Sequence, residues 1–215
     1  VLTAALLLAA APALAVCDDP IFSIIPAPEA TPTASGVATG AGTLEGKSVV
    51  GGRFSIDSAY SPAVWRKVLL EAENQDEWVP KRFGYEFSEW IDRDYMYMRF
   101  DIGFLMDSVH IQRQLVVRVT SGDVADRFRT CWRMVDPTPH MSRIQAWVAP
   151  DIDWERASTG WWEVTPQSDG TAIVNYQWWA ESGRIPGAIQ RFGISKTLPD
   201  LLRAFEERVA AVSKR

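Results

Sequence analysis

The sequence predicts an α+β domain in which a curved antiparallel β-sheet wraps around one long C-terminal α-helix and leaves an internal cavity between them. Three observations carry this. Segments with period-2 alternation follow one another between Phe83 and Trp179, separated by turn residues. Asp169-Gly170 lies between the last two of them, a dipeptide suited to a tight hairpin. Beyond Pro186, Ile189, Phe192, Leu198, Leu201, Phe205 and Val209 lie close to one stripe at helical spacing. A one-sided antiparallel sheet must cover its apolar face, and that helix is the element available to do so.

The elements are expected in the following order. Val49 to Asp57 reads as a first strand. Ser61-Pro62 supplies an N-cap and a proline at the first helical position, and the helix runs from Ala63 to Ala72 with Val64, Val68 and Leu69 on one side. Asn74 to Pro80 closes as a short helix or turn anchored by Trp78. Phe83 to Glu89 is a strand with Tyr85 and Phe87 on one face. Tyr95 to Ile102 places Met96, Met98, Phe100 and Ile102 together, and Ser108 to Thr120 aligns Val109, Ile111, Leu115, Val117 and Val119. Arg127 to Val135 puts Trp132 and Met134 in phase, and Arg143 to Val148 reads as a shorter strand. Ala157 to Thr165 and Thr171 to Trp179 form the hairpin. Pro199 falls inside the last helical stripe and is expected to kink or divide it, because proline removes a donor and clashes with the preceding turn.

Ahead of the domain the chain changes character. Residues 1–15 are almost wholly apolar and end in Ala13-Leu14-Ala15, the pattern of a cleaved secretory signal peptide. The run is shorter than the roughly 20 residues a spanning helix needs and contains Pro12. Leu14-Ala15-Val16-Cys17 resembles a bacterial lipobox, which marks Cys17 as a lipidation candidate, although Val16 is larger than such boxes favour. Residues 16–47, rich in Pro, Ala, Thr, Ser and Gly, read as a flexible tether, and 48–215 as the folded domain. The expected location is exported: periplasmic, or anchored to a membrane through Cys17.

Composition narrows the function. Hydrophobic residues make up 47% of the 215, as in a globular chain. A net charge of -5 and no basic run argue against nucleic acid as a partner. Cys17 and Cys131 are too few for a disulfide scaffold or a cysteine zinc site, and whether they pair depends on the compartment. His110 and His140 have no second ligand at a useful spacing. No nucleophile elbow, P-loop or dinucleotide fingerprint follows a predicted strand. No cofactor is expected.

Thr159-Gly160-Trp161-Trp162-Glu163-Val164-Thr165-Pro166, then Asp169-Gly170-Thr171 and Val174-Asn175-Tyr176, resemble the late strands of START domains, the steroidogenic acute regulatory protein-related lipid transfer domains. Ser182-Gly183-Arg184-Ile185-Pro186 ahead of the last helix, and Lys196 to Leu202 within it, extend the resemblance over roughly Ser48 to Arg215. Ile56-Asp57-Ser58 with Trp65 resembles the opening of the wider helix-grip superfamily, which also holds polyketide cyclases. The resemblance implies a helix-grip fold and a monomer that binds or transfers a lipid or other hydrophobic molecule, with a membrane surface as a further partner. One departure is clear: Leu105 to Val109 lacks the arginine that many START domains carry there.

The cavity candidates are Tyr85, Phe87, Arg113, Trp132, Trp162, Asn175, Tyr176, Ile189 and Phe192. Arg113 is in phase with Leu115 and Val117; either it holds a polar group of the ligand, or a register break turns it to solvent. Trp161-Trp162 and Trp178-Trp179 should each send one ring inward and one outward. Gly183, Pro186 and Gly187 are the expected gate, as implied by the resemblance. The alternatives are a cyclase-type enzyme using the same cavity, for which Tyr85, Tyr97 and Arg113 are the acid–base candidates, and an interaction domain with a filled core.

Overall fold

The computed structural model describes residues 17, 37–71, 75–79, 85–104, 109–181 and 186–214. Strands β1 (Ala38–Leu44) and β2 (Lys47–Ser58) are followed by helices α1 (Pro62–Leu70) and α2 (Gln75–Trp78). Strands β3 (Tyr85–Trp90), β4 (Tyr95–Phe104), β5 (Val109–Val124) and β6 (Arg127–Val135) come next. A 3-10 turn, Thr138–His140, runs into the short helix α3 (Met141–Ile144). Strands β7 (Ser158–Pro166) and β8 (Ala172–Glu181) precede helix α4 (Gly187–Ser213). The strands form one eight-stranded sheet in the order β1-β2-β8-β7-β6-β5-β4-β3. Every pairing is antiparallel.

The sequence dictates the turns. Glu45 and Gly46 both have positive φ (51° and 76°), as a two-residue hairpin turn requires, and join β1 to β2. In the β7–β8 turn Gly170 has φ 86°, and the Asp169 carboxylate accepts bonds from the Thr171 amide (3.0 Å) and hydroxyl (2.6 Å). Pro62 opens α1 as expected, and α1 buries Trp65, Val68 and Leu69. The Trp65 indole donates to the Ser58 hydroxyl at 2.7 Å, which ties the helix to the end of β2.

α4 is about 40 Å long at 1.5 Å per residue and packs on β1, β2 and α1. It buries Ile194, Leu198, Leu201, Leu202, Phe205, Val209 and Val212. Gly52 of β2 lies beneath it: a Cβ there would come within 2.8 Å of both Ile194 and Leu198. The main core joins this helix face to Phe54, Trp162, Val164, Val174 and Tyr176 on the inner face of the sheet.

The structure departs from expectation at three elements. Ala38–Leu44, read as part of the 16–47 tether, is an edge strand with Val37, Ala38 and Leu44 buried. Its small residues pair through the backbone, and backbone pairing leaves no mark on composition. Residues 143–148, read as a strand, belong to the helical and turn segment that begins at Thr138. Prolines 137 and 139 favour its first turns, and the Asp136 carboxylate accepts the Thr138 amide at 2.9 Å. Pro199 does not divide α4, which runs unbroken from Gly187 to Ser213. The turn before it carries side-chain bonds from the Ser195 hydroxyl to the Phe192 carbonyl (2.7 Å) and from the Thr197 hydroxyl to the Gly193 carbonyl (3.0 Å).

Cys17 forms a disulfide with Cys131 of β6, with a Cα–Cα distance of 5.8 Å. Cys131 alternates with the inward-facing Thr130 and Trp132, so the bridge lies on the outer face, behind the cavity. A sulfur in a disulfide cannot also carry a thioether-linked lipid, so this bridge and lipidation at Cys17 exclude each other.

Candidate functional site

Strand alternation puts one row of side chains from each central strand against the face of α4. Between them lies a cavity of about 180 Å³. β4 contributes Met96, Met98 and Phe100; β5 contributes Leu115, Val117 and Val119. Thr130 and Trp132 of β6, Ser158 and Trp162 of β7, and Tyr176 and Trp178 of β8 form the floor. Ile194, Thr197, Leu198, Leu201 and Phe205 of α4 form the roof, and Leu69 and Gln75 close one end.

Aromatic packing sets the shape of the floor. Trp162 and Tyr176 are 4.4 Å apart between centroids, and Trp162 meets Phe205 of the roof at 4.5 Å. Tyr176 stacks on Phe54 at 5.0 Å and on Trp132 at 5.9 Å. The Trp132 ring lies across Gly160, where a Cβ would be 2.2 Å from its Cζ2 atom. The polar lining is Gln75, Thr130, Ser158 and Thr197, together with the Tyr176 phenol. The Trp178 indole donates to the Ser158 hydroxyl at 3.3 Å, and the Ser121 hydroxyl donates to that of Thr130 at 2.7 Å.

Of the sequence candidates, Trp132, Trp162 and Tyr176 line the cavity together. Trp162 and Trp178 point inward, whereas Trp161 and Trp179 take the outward positions that alternation requires. Phe87 is on the outer face. A register shift between Tyr85 and Phe87 sets Phe87 opposite Arg99, where it packs against Tyr97 and Trp147. Tyr85 belongs to β3, and its side chain is outside the described residues.

Asn175 also faces outward, because Val174 and Tyr176 on either side are buried inward; its amide is 3.5 Å from the Glu163 carboxylate. Ile189 and Phe192 are 42% and 55% exposed. Phe192 is two residues from Ile194, roughly 200° around the helix, which takes it off the buried stripe. Gly183 is outside the described residues. Pro186 caps α4 and Gly187 begins it, with Val50 3.5 Å from the position of a Cβ at Gly187.

Arg113 keeps the inward phase but lies beyond the cavity wall, opposite Phe100. It donates to the Gln112 carbonyl (2.7 Å) and stands 3.8 Å from the Asp153 carboxylate. Tyr97, the other acid–base candidate, is fully buried on the outer side. Its hydroxyl is shared between Gln114 Oε1 (2.8 Å) and the Trp147 carbonyl (3.0 Å), and burial pushes its pKa up.

Sequence reasoning missed the strap from Trp147 to Glu155 that closes the sheet beside β5. Gln114, buried between the two, donates its side-chain amide to the carbonyls of Ala149 (3.0 Å) and Ile152 (2.6 Å). Its backbone amide donates to the Asp153 carbonyl, and its carbonyl accepts the Glu155 amide. Burial pushes the Glu155 carboxyl up to about 7; Arg113 opposes this and Glu181 reinforces it. The folded state therefore holds this proton more tightly than the unfolded chain does. Its contribution to stability is complete below the ordinary glutamate range and is lost as pH rises through 7. Glu155→Gln is expected to leave the melting temperature unchanged near pH 4 and to stabilise the protein at pH 8, by at most about 3 kcal/mol. Thermal melts at the two pH values test this, and an equal effect at both would contradict it.

Comparison of the sequence with protein families and with curated proteins returns no match. The structure is similar to that of a STAR-related lipid transfer protein (fragment 25–204) from Xanthomonas axonopodis, with TM-score 0.60 and 18% identity over 84% of this chain and 97% of that one. It is similar to human STARD10, with TM-score 0.61 and 10% identity over 84% of this chain and 71% of the other. Human StAR-related lipid transfer protein 5 gives TM-score 0.61 and 11% identity over 82% and 83%. The fold is the START helix-grip fold. In its terms, α4 is the gripped helix, and the inner rows of β4 to β8 form the concave surface beneath it. No group of three or more His, Cys, Asp or Glu that could hold a metal occurs among the described residues. No described helix is long and apolar enough to cross a membrane.

Proposed function

We propose that this protein binds a hydrophobic small molecule, lipid-like in the broad sense, between the sheet and α4. The observation that carries the reading is the cavity itself: about 180 Å³ of space lined mostly by apolar and aromatic side chains, with a few polar groups among them, is the kind of site in which a hydrophobic ligand gains burial. Burial of the ligand's apolar surface supplies the affinity, at about 25 cal/mol per Å². The lipid transfer proteins among the similar structures support the same reading. A cyclase-type reaction in this cavity would need a positioned acid or base. The described lining offers the Tyr176 phenol, while Tyr97 and Arg113 stand outside it.

The exposed Ile189 and Phe192, beside Arg191 and Lys196 at the start of α4, suit a contact with a membrane surface from which ligand is taken. Pro186 and Gly187, where the chain enters that helix, are the corresponding gate. The apolar leader with its Ala13-Leu14-Ala15 site, together with the Cys17–Cys131 bridge, supports an exported protein in an oxidising compartment.

Native mass spectrometry of the protein purified from its own host, followed by extraction, tests the binding reading. A co-purifying hydrophobic molecule at one per chain is the expected result. An empty protein that also takes up nothing from vesicles would refute it. Ile189→Asp with Phe192→Asp should reduce co-sedimentation with anionic vesicles, and unchanged sedimentation would remove the membrane contact.

A further inference from the structure

The cavity's wall chemistry and size together select a class of ligand. We infer that it takes a compact, uncharged molecule of one or two rings, or a short chain, carrying an oxygen acceptor, and not a charged diacyl lipid. The inference rests on the hydrophobic-ligand reading above and narrows it.

No Asp, Glu, Lys, Arg or His lines the cavity among the described residues. A charged headgroup drawn inside would lose its hydration with no charged side chain of the described lining to replace it, which costs several kcal/mol. Arg113, the base whose phase points to this face, is already engaged with Asp153 and the Gln112 carbonyl.

The cavity's 180 Å³ is close to the roughly 150 Å³ of an engineered apolar cavity that binds benzene. Two long acyl chains need several times that space. Phe205 in the roof meets Trp162 in the floor at 4.5 Å, which fixes the separation of α4 from the sheet at that point.

The Ser158 hydroxyl accepts from the Trp178 indole, so its own proton has no protein acceptor among the described residues. The Ser121–Thr130 hydroxyl pair likewise retains one proton to donate. Both Ser158 and Thr130 are buried and line the cavity. A buried donor left unmatched is costly, and a ligand oxygen satisfies it.

Calorimetric titration of the full chain with three matched probes tests this: 1-tetralone, tetralin, and the 1-carboxylate of tetralin. Incubation with dioleoylphosphatidylcholine vesicles completes the set. The expected result is one-to-one binding of 1-tetralone, with tetralin about 2–10-fold weaker for the missing hydrogen bond. The carboxylate should be weaker than 1-tetralone by more than about 100-fold, and no phospholipid should be retained. Ser158→Ala or Thr130→Val should remove the preference for 1-tetralone over tetralin without changing tetralin itself. If neither variant does so, the acceptor assignment is wrong. Tighter binding of the carboxylate, or a phospholipid held at one per chain, would overturn the ligand class while leaving a hydrophobic-ligand protein. No binding of any probe or vesicle lipid would overturn the binding reading itself.

Discussion

Gly160→Ala is expected to destabilise the protein by about 3 kcal/mol and to abolish ligand uptake. A Cβ at this position would lie 2.2 Å from Trp132 Cζ2 and 2.6 Å from the Gln177 carbonyl oxygen. The second contact is backbone in the neighbouring strand β8, so a side-chain rotation alone cannot relieve the clash. The relief available to Trp132 is to tilt away from the sheet, and the space on that side is the cavity. One methyl group therefore strains the β7–β8 pairing and drives an indole into the ligand's place. Gly42→Ala is the control: its Cβ would meet Trp179 at 3.7 Å, an ordinary contact, and the change should be close to neutral. Chemical denaturation of both variants, with titration of a cavity probe, checks the pair. A Gly160→Ala protein as stable as Gly42→Ala would mean that Trp132 does not lie across the strand as described.

The Trp161-Trp162 and Trp178-Trp179 dipeptides divide inward and outward because alternation along a strand is local geometry. The hairpin at Asp169-Gly170 and the start of α1 at Pro62 are equally local. The face of Phe87 depends on a register shift, which is set by pairing with β4 and leaves no mark in its own segment. A stripe drawn from hydrophobic type alone takes in Ile189 and Phe192, which the structure exposes. The buried set begins at Gln190 and Gly193 and steps onward through Ile194, Leu198, Leu201 and Phe205, a phase fixed by contact with β2 and the cavity. β1 escaped notice because Gly and Thr in a strand look like linker. Ser158, Thr130 and Gln114 matter through partners distant in sequence, so no local pattern marks them.

Breaking the Cys17–Cys131 bridge should cost about 2–4 kcal/mol, a fall of roughly 5–15 °C in melting temperature. The bridge closes a loop across 114 residues, and a long loop loses much chain entropy in the unfolded state when cross-linked. The span from β6 to β1 across β7, β8 and β2 is about 19 Å at the usual strand spacing. The residues between Cys17 and Ala38 can extend more than about 60 Å, so closure imposes no stretch. Cys131 is buried on the outer face, opposite the cavity, so cutting the bridge should lower stability without changing affinity for a cavity probe. Cys131→Ser, or reduction by dithiothreitol, measures the first effect, and titration of the same variant measures the second. Mass spectrometry of a non-reduced digest decides between the two uses of Cys17. The expected product is a peptide joining Cys17 to Cys131. A diacylglyceryl group on Cys17 with a free Cys131 would instead make the N-terminus a membrane anchor and leave the sheet to fold without its covalent tie.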